Sequence, residues 1–135
     1  LFSGVGSFGI ECLSRGVKKV IFIENYQGVI PLLKKNLFGL KTIQNYAIIE
    51  EDIYNENIFL KLNNKFDIIF LDPPYKDKNL ENLLNKIEDQ NILNKNGIIV
   101  LHRHKNETDS LPPSFQIIEQ KVYGISKIIF LSYLN

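Results

Sequence analysis

Phe66-Asp67-Ile68-Ile69-Phe70-Leu71-Asp72-Pro73-Pro74-Tyr75 is an apolar run cut off by an acid, two prolines and an aromatic ring. Ile68 to Leu71 are continuously apolar and rich in β-branched and aromatic types, which predicts a strand of a parallel sheet covered on both faces. Pro73 and Pro74 end it, because neither can donate to a ladder and each keeps the preceding residue extended. The carbonyls of Asp72 and Pro73 are therefore expected to stay out of secondary structure.

Outward from this stretch, strands and helices alternate. Leu1 to Gly9 is a glycine-rich turn that opens a helix, with Phe8, Ile10, Cys12, Leu13 and Val17 at mainly helical spacing around Gly16. Lys19 to Glu24 predicts a strand closed by an acid, and Tyr26 to Phe38 a helix with Pro31 in its early part. Tyr46 to Glu50 predicts a third strand leading to Glu51-Asp52, and Ile58 to Leu62 part of a short helix. After the opening stretch, Leu80, Leu83, Leu84 and Ile87 mark an amphipathic helix, and Ile98 to Leu101 a buried strand. His102 to Pro113 is expected to be a surface loop. Phe115 to Val122 and Lys127 to Leu134 read as strands joined by Tyr123-Gly124-Ile125-Ser126, too short for a parallel crossover. An antiparallel hairpin thus closes an α/β sheet, unlike a dinucleotide-binding fold whose strands are all parallel. A glycine-rich turn normally follows a strand, and only Leu1 and Phe2 precede this one, so the chain is expected to be truncated with its first strand missing.

A length of 135 residues suits one domain over 1–135, and 44% hydrophobic with 23% charged residues describes a globular chain. A net charge of +1 neither demands nor excludes a nucleic-acid partner. Cys12, the single cysteine, excludes an internal disulfide, and no apolar stretch approaches the roughly 20 residues of a membrane span. A reducing cytoplasm is the expected setting, with Cys12 packed on the apolar face of the first helix. His102 and His104 have no cysteine or carboxylate at ligand spacing, so no metal site is assigned.

Gly4-Val5-Gly6-Ser7-Phe8-Gly9 matches G-x-G-x-x-G, whose glycines permit a tight turn, close approach of backbone to ligand, and close helix packing. Glu24, twenty positions after Gly4, can accept hydrogen bonds from both ribose hydroxyls of a nucleoside. The competing reading is a structural turn with a solvated acid. Asp52 either receives an adenine amino group or caps a helix. In Asp72-Pro73-Pro74-Tyr75, a carboxylate and a backbone carbonyl side by side suit an exocyclic amine, on whose ring Tyr75 can stack. Two hydrogen bonds would aim the amine lone pair at an electrophile, so positioning and charge stabilisation carry the chemistry without a protein nucleophile. A base would have to leave its stack to enter, and Tyr75 would repay part of that loss. A turn with a capping aspartate is the plainer alternative.

With glycine loop, Glu24 and Asp-Pro-Pro-Tyr in this order, the chain resembles the S-adenosylmethionine-dependent methyltransferases that act on amino groups. Within them it is most similar to the bacterial 16S ribosomal RNA guanine-N2 methyltransferases, through Leu1 to Gly16, Val20 to Asn25, Phe66 to Tyr75 and Val122-Tyr123-Gly124. Ser14-Arg15-Gly16 favours this family over the DNA adenine methyltransferases. The resemblance implies a Rossmann-like, seven-stranded sheet ending in the hairpin. It implies S-adenosyl-L-methionine held by Phe2, Ser3, Gly4, Gly6, Gly9, Glu24, Asn25, Asp52 and Ile53. It places methyl transfer to guanine N2 at Asp72, Pro73, Pro74 and Tyr75. The implied partner is ribosomal RNA or a small-subunit assembly intermediate, met by a cytoplasmic monomer with no membrane. In the family an aspartate, a strand and a basic segment are expected upstream of the position of Leu1, and Leu101-His102-Arg103-His104 is basic where an acid is expected. His102, Arg103, His104 and Lys105 are either phosphate contacts or a solvated loop, while Lys76 and Lys78 are better placed for phosphate. A DNA adenine or protein glutamine amide methyltransferase stays open. So do a nicotinamide- or nucleoside-binding module with an all-parallel sheet, and an inactive fragment.

Overall fold

The computed structural model describes residues 1–4, 6–40, 45–55, 57–62, 64–74 and 79–134. They fall into two compact units, residues 1–55 and 56–135.

In the first unit, helix α1 (Ser7–Ser14) leaves the glycine loop and is followed by strand β1 (Val20–Ile23), helix α2 (Ile30–Phe38) and strand β2 (Tyr46–Ile49). β1 and β2 pair in parallel, from Val20 opposite Tyr46 to Ile23 opposite Ile49. Leu13, Phe22, Leu33 and Leu37 form the core between them, with Ile10 and Val20 packed against it. α1 stops where Gly16 turns left-handed: the Gly16 N–H bonds the Leu13 carbonyl and the Val17 N–H bonds the Cys12 carbonyl, both at 3.2 Å. α2 begins at Ile30 rather than Tyr26. Pro31 sits in its first turn, where a missing N–H breaks no helical bond, and Tyr26 to Val29 form a separate turn closed at 3.1 Å.

The second unit carries a 3-10 turn (Ile58–Lys61), strand β3 (Phe66–Leu71), helix α3 (Leu80–Asp89) and strands β4 (Leu93–His104), β5 (Phe115–Tyr123) and β6 (Ser126–Tyr133). The sheet order is β3-β4-β6-β5, with β3 and β4 parallel and β6 inserted antiparallel between β4 and β5. The two-residue connection Gly124-Ile125 forces β5 and β6 to be antiparallel neighbours, and Gly124 supplies the positive φ, +57°, that such a tight turn needs. This mixed sheet argues against an all-parallel dinucleotide-binding module. α3 buries Leu80, Leu83, Leu84 and Ile87, the face its spacing predicts.

The structure corrects two expectations here. β4 runs on past Leu101, because His102, Arg103 and His104 pair with Ile128, Lys127 and Ser126 of β6. These basic residues end a strand and do not begin a loop. β3 is also covered unevenly: Ile69 and Leu71 are buried on one face, while Ile68 on the other is exposed. Alternate residues of a strand face opposite ways, and only one face of β3 meets the core. The described residues contain six strands, as a parallel pair and a four-stranded mixed sheet; the count of seven comes from the resemblance alone. No helix among them is long and apolar enough to cross a membrane.

Candidate functional site

In the first unit, Glu24 directly follows β1 and fastens the glycine loop. Its Oε1 accepts the Gly4 N–H at 2.7 Å, and its Oε2 accepts the N–H groups of Asn25 at 2.9 Å and Tyr26 at 3.0 Å. Ser3 donates its N–H to the Ile23 carbonyl at 3.1 Å, so the loop is tied twice to the end of β1. The glycines answer different needs. A Cβ on Gly9 would lie 2.3 Å from Phe22 Cε1, which is how α1 packs close on β1, whereas one on Gly4 would meet nothing within 4 Å. Gly4, at φ +54°, presents bare backbone to open space.

Phe2, Ile23, Glu24, Asn25, Glu51, Asp52 and Ile53 line one shallow hollow of about 20 Å³, open to solvent. That is far below the ~300 Å³ of a typical small-molecule pocket, so these residues form a surface against which part of a ligand can lie rather than a cavity that encloses it. A carboxylate offers about four acceptor positions, and Glu24 already uses three on backbone N–H groups. One hydroxyl can be added directly; the expected second ribose hydroxyl must displace one of these backbone donors. Asp52 Oδ1 accepts the Tyr54 N–H at 2.9 Å and its carbonyl accepts the Asn55 N–H at 3.0 Å, an Asx turn rather than a helix cap. Phe2 meets the Tyr54 ring edge-on at 6.0 Å. Ser3 Oγ is buried with no hydrogen-bond partner among the described residues, a vacancy that a polar ligand group can fill. These residues fit a nucleoside cofactor.

In the second unit, Asp72 directly follows β3. Leu71 stands opposite Leu101 in the parallel register, so Asp72 comes beside His102, with Asp72 Oδ1 2.9 Å from His102 Nδ1. The Asp72 side chain is 46% exposed. Pro73 is buried and Pro74 exposed. Arg103 is 1% exposed. Asp109 clamps it at two points, Nε to Oδ2 at 3.0 Å and Nη2 to Oδ1 at 2.9 Å, and its Nη1 donates to the Pro74 carbonyl at 3.1 Å. His104 turns outward to the following turn, where Nδ1 accepts the Asn106 N–H at 3.1 Å. Val5, Tyr75, Lys76 and Lys78 lie outside the described residues. Cys12 is half-buried, and burial, then the Glu11 carboxylate, push its thiol up against the smaller pull of Arg15.

A family described as conserved hypothetical protein 95 matches residues 1–132. The chain belongs to that family. Ribosomal RNA small subunit methyltransferase D of Haemophilus influenzae is 34% identical over 129 residues, covering 92% of this chain and 65% of that protein. The protein of the same name from Buchnera aphidicola subsp. Baizongia pistaciae is 33% identical over 135 residues, covering 99% and 67%. A solved chain from Streptococcus pyogenes, described as a conserved hypothetical protein, superposes with a TM-score of 0.87 at 25% identity, covering 98% of this chain and 82% of that one. The chain spans about two-thirds of the length of these curated relatives. Its α/β fold with a mixed sheet is that of its methyltransferase neighbours.

In this member of the conserved hypothetical protein 95 family, five residues expected at a cofactor, Phe2, Glu24, Asn25, Asp52 and Ile53, line one hollow. Ser3 and Gly4 adjoin it through the loop bonds to Ile23 and Glu24. Gly6 and Gly9 serve packing: a Cβ on Gly6 would lie 2.5 Å from Leu33 Cδ1. Sequence reasoning missed Glu51 and Ile23 in the hollow, and it misjudged Arg103. A side chain buried on Asp109 cannot be a phosphate contact or a solvated one. The signal was strand parity, since Arg103 shares a face with Ile99 and Leu101, both fully buried.

Proposed function

We propose that this chain carries the S-adenosyl-L-methionine-dependent methyl transfer of a ribosomal RNA methyltransferase, with the exocyclic N2 amine of a guanine in 16S ribosomal RNA as acceptor. The observation that carries the reading is an exposed carboxylate, Asp72, at the carboxyl end of a parallel strand and opening an Asp-Pro-Pro turn. It stands in a chain whose curated relatives are named ribosomal RNA small subunit methyltransferases. Ligands of α/β sheets gather at such strand ends.

In this reading both units belong to one methyltransferase domain with the seven-stranded sheet of the family. Glu24 and the glycine loop bind the cofactor ribose, Asp52 takes the adenine amino group, and Phe2, Ser3, Asn25 and Ile53 complete the pocket. The cofactor supplies an electrophilic methyl group. Asp72 and the Pro73 carbonyl accept hydrogen bonds from the amine, Pro74 stiffens the turn, and Tyr75 stacks on the base. Held by these two acceptors, the amine lone pair would face the methyl group that bound S-adenosyl-L-methionine would supply. The surplus amine proton passes to the Asp72 carboxylate. Orientation of the two partners, rather than a covalent intermediate, lowers the barrier.

The test supplies the full-length protein and labelled S-adenosyl-L-methionine to ribosomal RNA from enzyme-deficient cells, with DNA and protein acceptors alongside. Label should enter 16S ribosomal RNA as N2-methylguanosine, and Asp72→Ala should abolish it. Absence of label from the RNA, or label in DNA or protein alone, defeats the proposal.

A further inference from the structure

We propose that His102 and Arg103, consecutive residues at the end of β4, are positioning residues that set the geometry of the Asp72–Pro74 loop. The inference rests on the methyl-transfer reading of that loop. Neither residue is placed to react: His102 acts on Asp72, which would hold the amine, and Arg103 on the Pro74 carbonyl, next to the second acceptor at Pro73.

His102 acts at the start of the loop. Parallel register brings it beside Asp72, and its Nδ1 lies 2.9 Å from Asp72 Oδ1. A carboxylate with one oxygen held by an imidazole has lost its free rotation, so its other oxygen points in a fixed direction. Arg103 acts at the far end. Its guanidinium is 1% exposed, is oriented by two bonds to Asp109, and donates Nη1 to the Pro74 carbonyl at 3.1 Å. The proline ring fixes φ at Pro74, so a restraint on its carbonyl reaches back to Pro73, whose own carbonyl is the second acceptor for the amine. Neighbouring strand residues face opposite ways, and the loop is therefore held from both faces of β4. A basic pair in this place needs no phosphate partner, since both side chains already have acceptors within the fold.

The experiment uses the full-length protein acting on ribosomal RNA, with kcat, KM for RNA and affinity for S-adenosylhomocysteine measured separately. His102→Ala should lower kcat at least tenfold while KM and cofactor-product affinity stay within twofold. His102→Asn, whose amide N–H can stand near the place of Nδ1, should restore most of the loss. Arg103→Lys keeps the charge but cannot serve Asp109 at two points and Pro74 at a third, so its kcat should also fall. If Arg103→Lys does not fold, as circular dichroism would show, the His102 pair of variants decides. A kcat within twofold of wild type in His102→Ala, or a change confined to KM for RNA, overturns the proposal; the latter outcome would make His102 an RNA contact. Wild-type protein that methylates no RNA overturns the methyl-transfer reading itself and this proposal with it.

Discussion

A Cβ on Gly9 would sit 2.3 Å from Phe22 Cε1 and 2.6 Å from its Cζ, and Phe22 is a buried core ring with nowhere to move. Gly9→Ala should therefore cost about 1–3 kcal/mol of stability by overpacking, read from urea unfolding. Gly4→Ala meets no atom, so its penalty is the left-handed backbone alone, about 1–2 kcal/mol, and its larger effect should fall on ligand approach. Calorimetry should show affinity for S-adenosylhomocysteine reduced tenfold or more. Cys12 gives a pH prediction. Its thiol is raised in the fold, so as pH climbs through the ordinary thiol range the unfolded chain loses its proton first, and stability falls there. Native Cys12 should react with iodoacetamide more slowly than the urea-unfolded chain at the same alkaline pH. The glycines were readable because their G-x-G-x-x-G spacing is local, although the packing of Gly9 on Phe22 came only with the fold. Arg103 was not, because a charge in a sequence looks solvated until its carboxylate partner, Asp109, is brought to it.

At the scale of elements, α3 shows how local chemistry writes its own boundaries. Leu83 and Leu84 are 1% and 0% exposed, and Leu84→Ala should cost about 2–5 kcal/mol in thermal or urea unfolding. The helix ends where Asn91 adopts φ +52°, with its N–H on the Glu88 carbonyl at 2.9 Å and the Ile92 N–H on the Ile87 carbonyl at 3.3 Å. This paired closure wants a left-handed residue, so Asn91→Gly should add up to about 1 kcal/mol while Asn91→Val should remove about 1–2. Periodicity and turn chemistry are both short-range, and so α3 and the hairpin at Gly124 could be read from the chain. The length of β4 could not, since residues 102–104 become strand only through pairing with β6.

At the scale of the molecule, a ligand that binds only the folded chain must stabilise it by mass action. S-adenosylhomocysteine at a hundredfold excess over its Kd should add about 2.7 kcal/mol, seen as a raised melting temperature, if the hollow beside Glu24 is the cofactor site. Glu24→Ala removes an acceptor and the anchor of Gly4 together, and should abolish the shift. By itself the sequence determined the alternation of strands and helices, the closing hairpin, the glycine loop with its strand-end acid, and the Asp-Pro-Pro turn. Each of these is set by residues within a few positions of one another or by backbone rules for glycine and proline. Only the tertiary structure decided that Glu24 is engaged by three backbone N–H groups, that Asp52 closes an Asx turn inside a shared hollow, and that His102 and Arg103 reach back thirty and twenty-nine positions to hold the loop at Asp72 and Pro74. Those facts depend on the register of strands far apart in the chain, and hydrogen bonds across such a register leave no trace in local spacing.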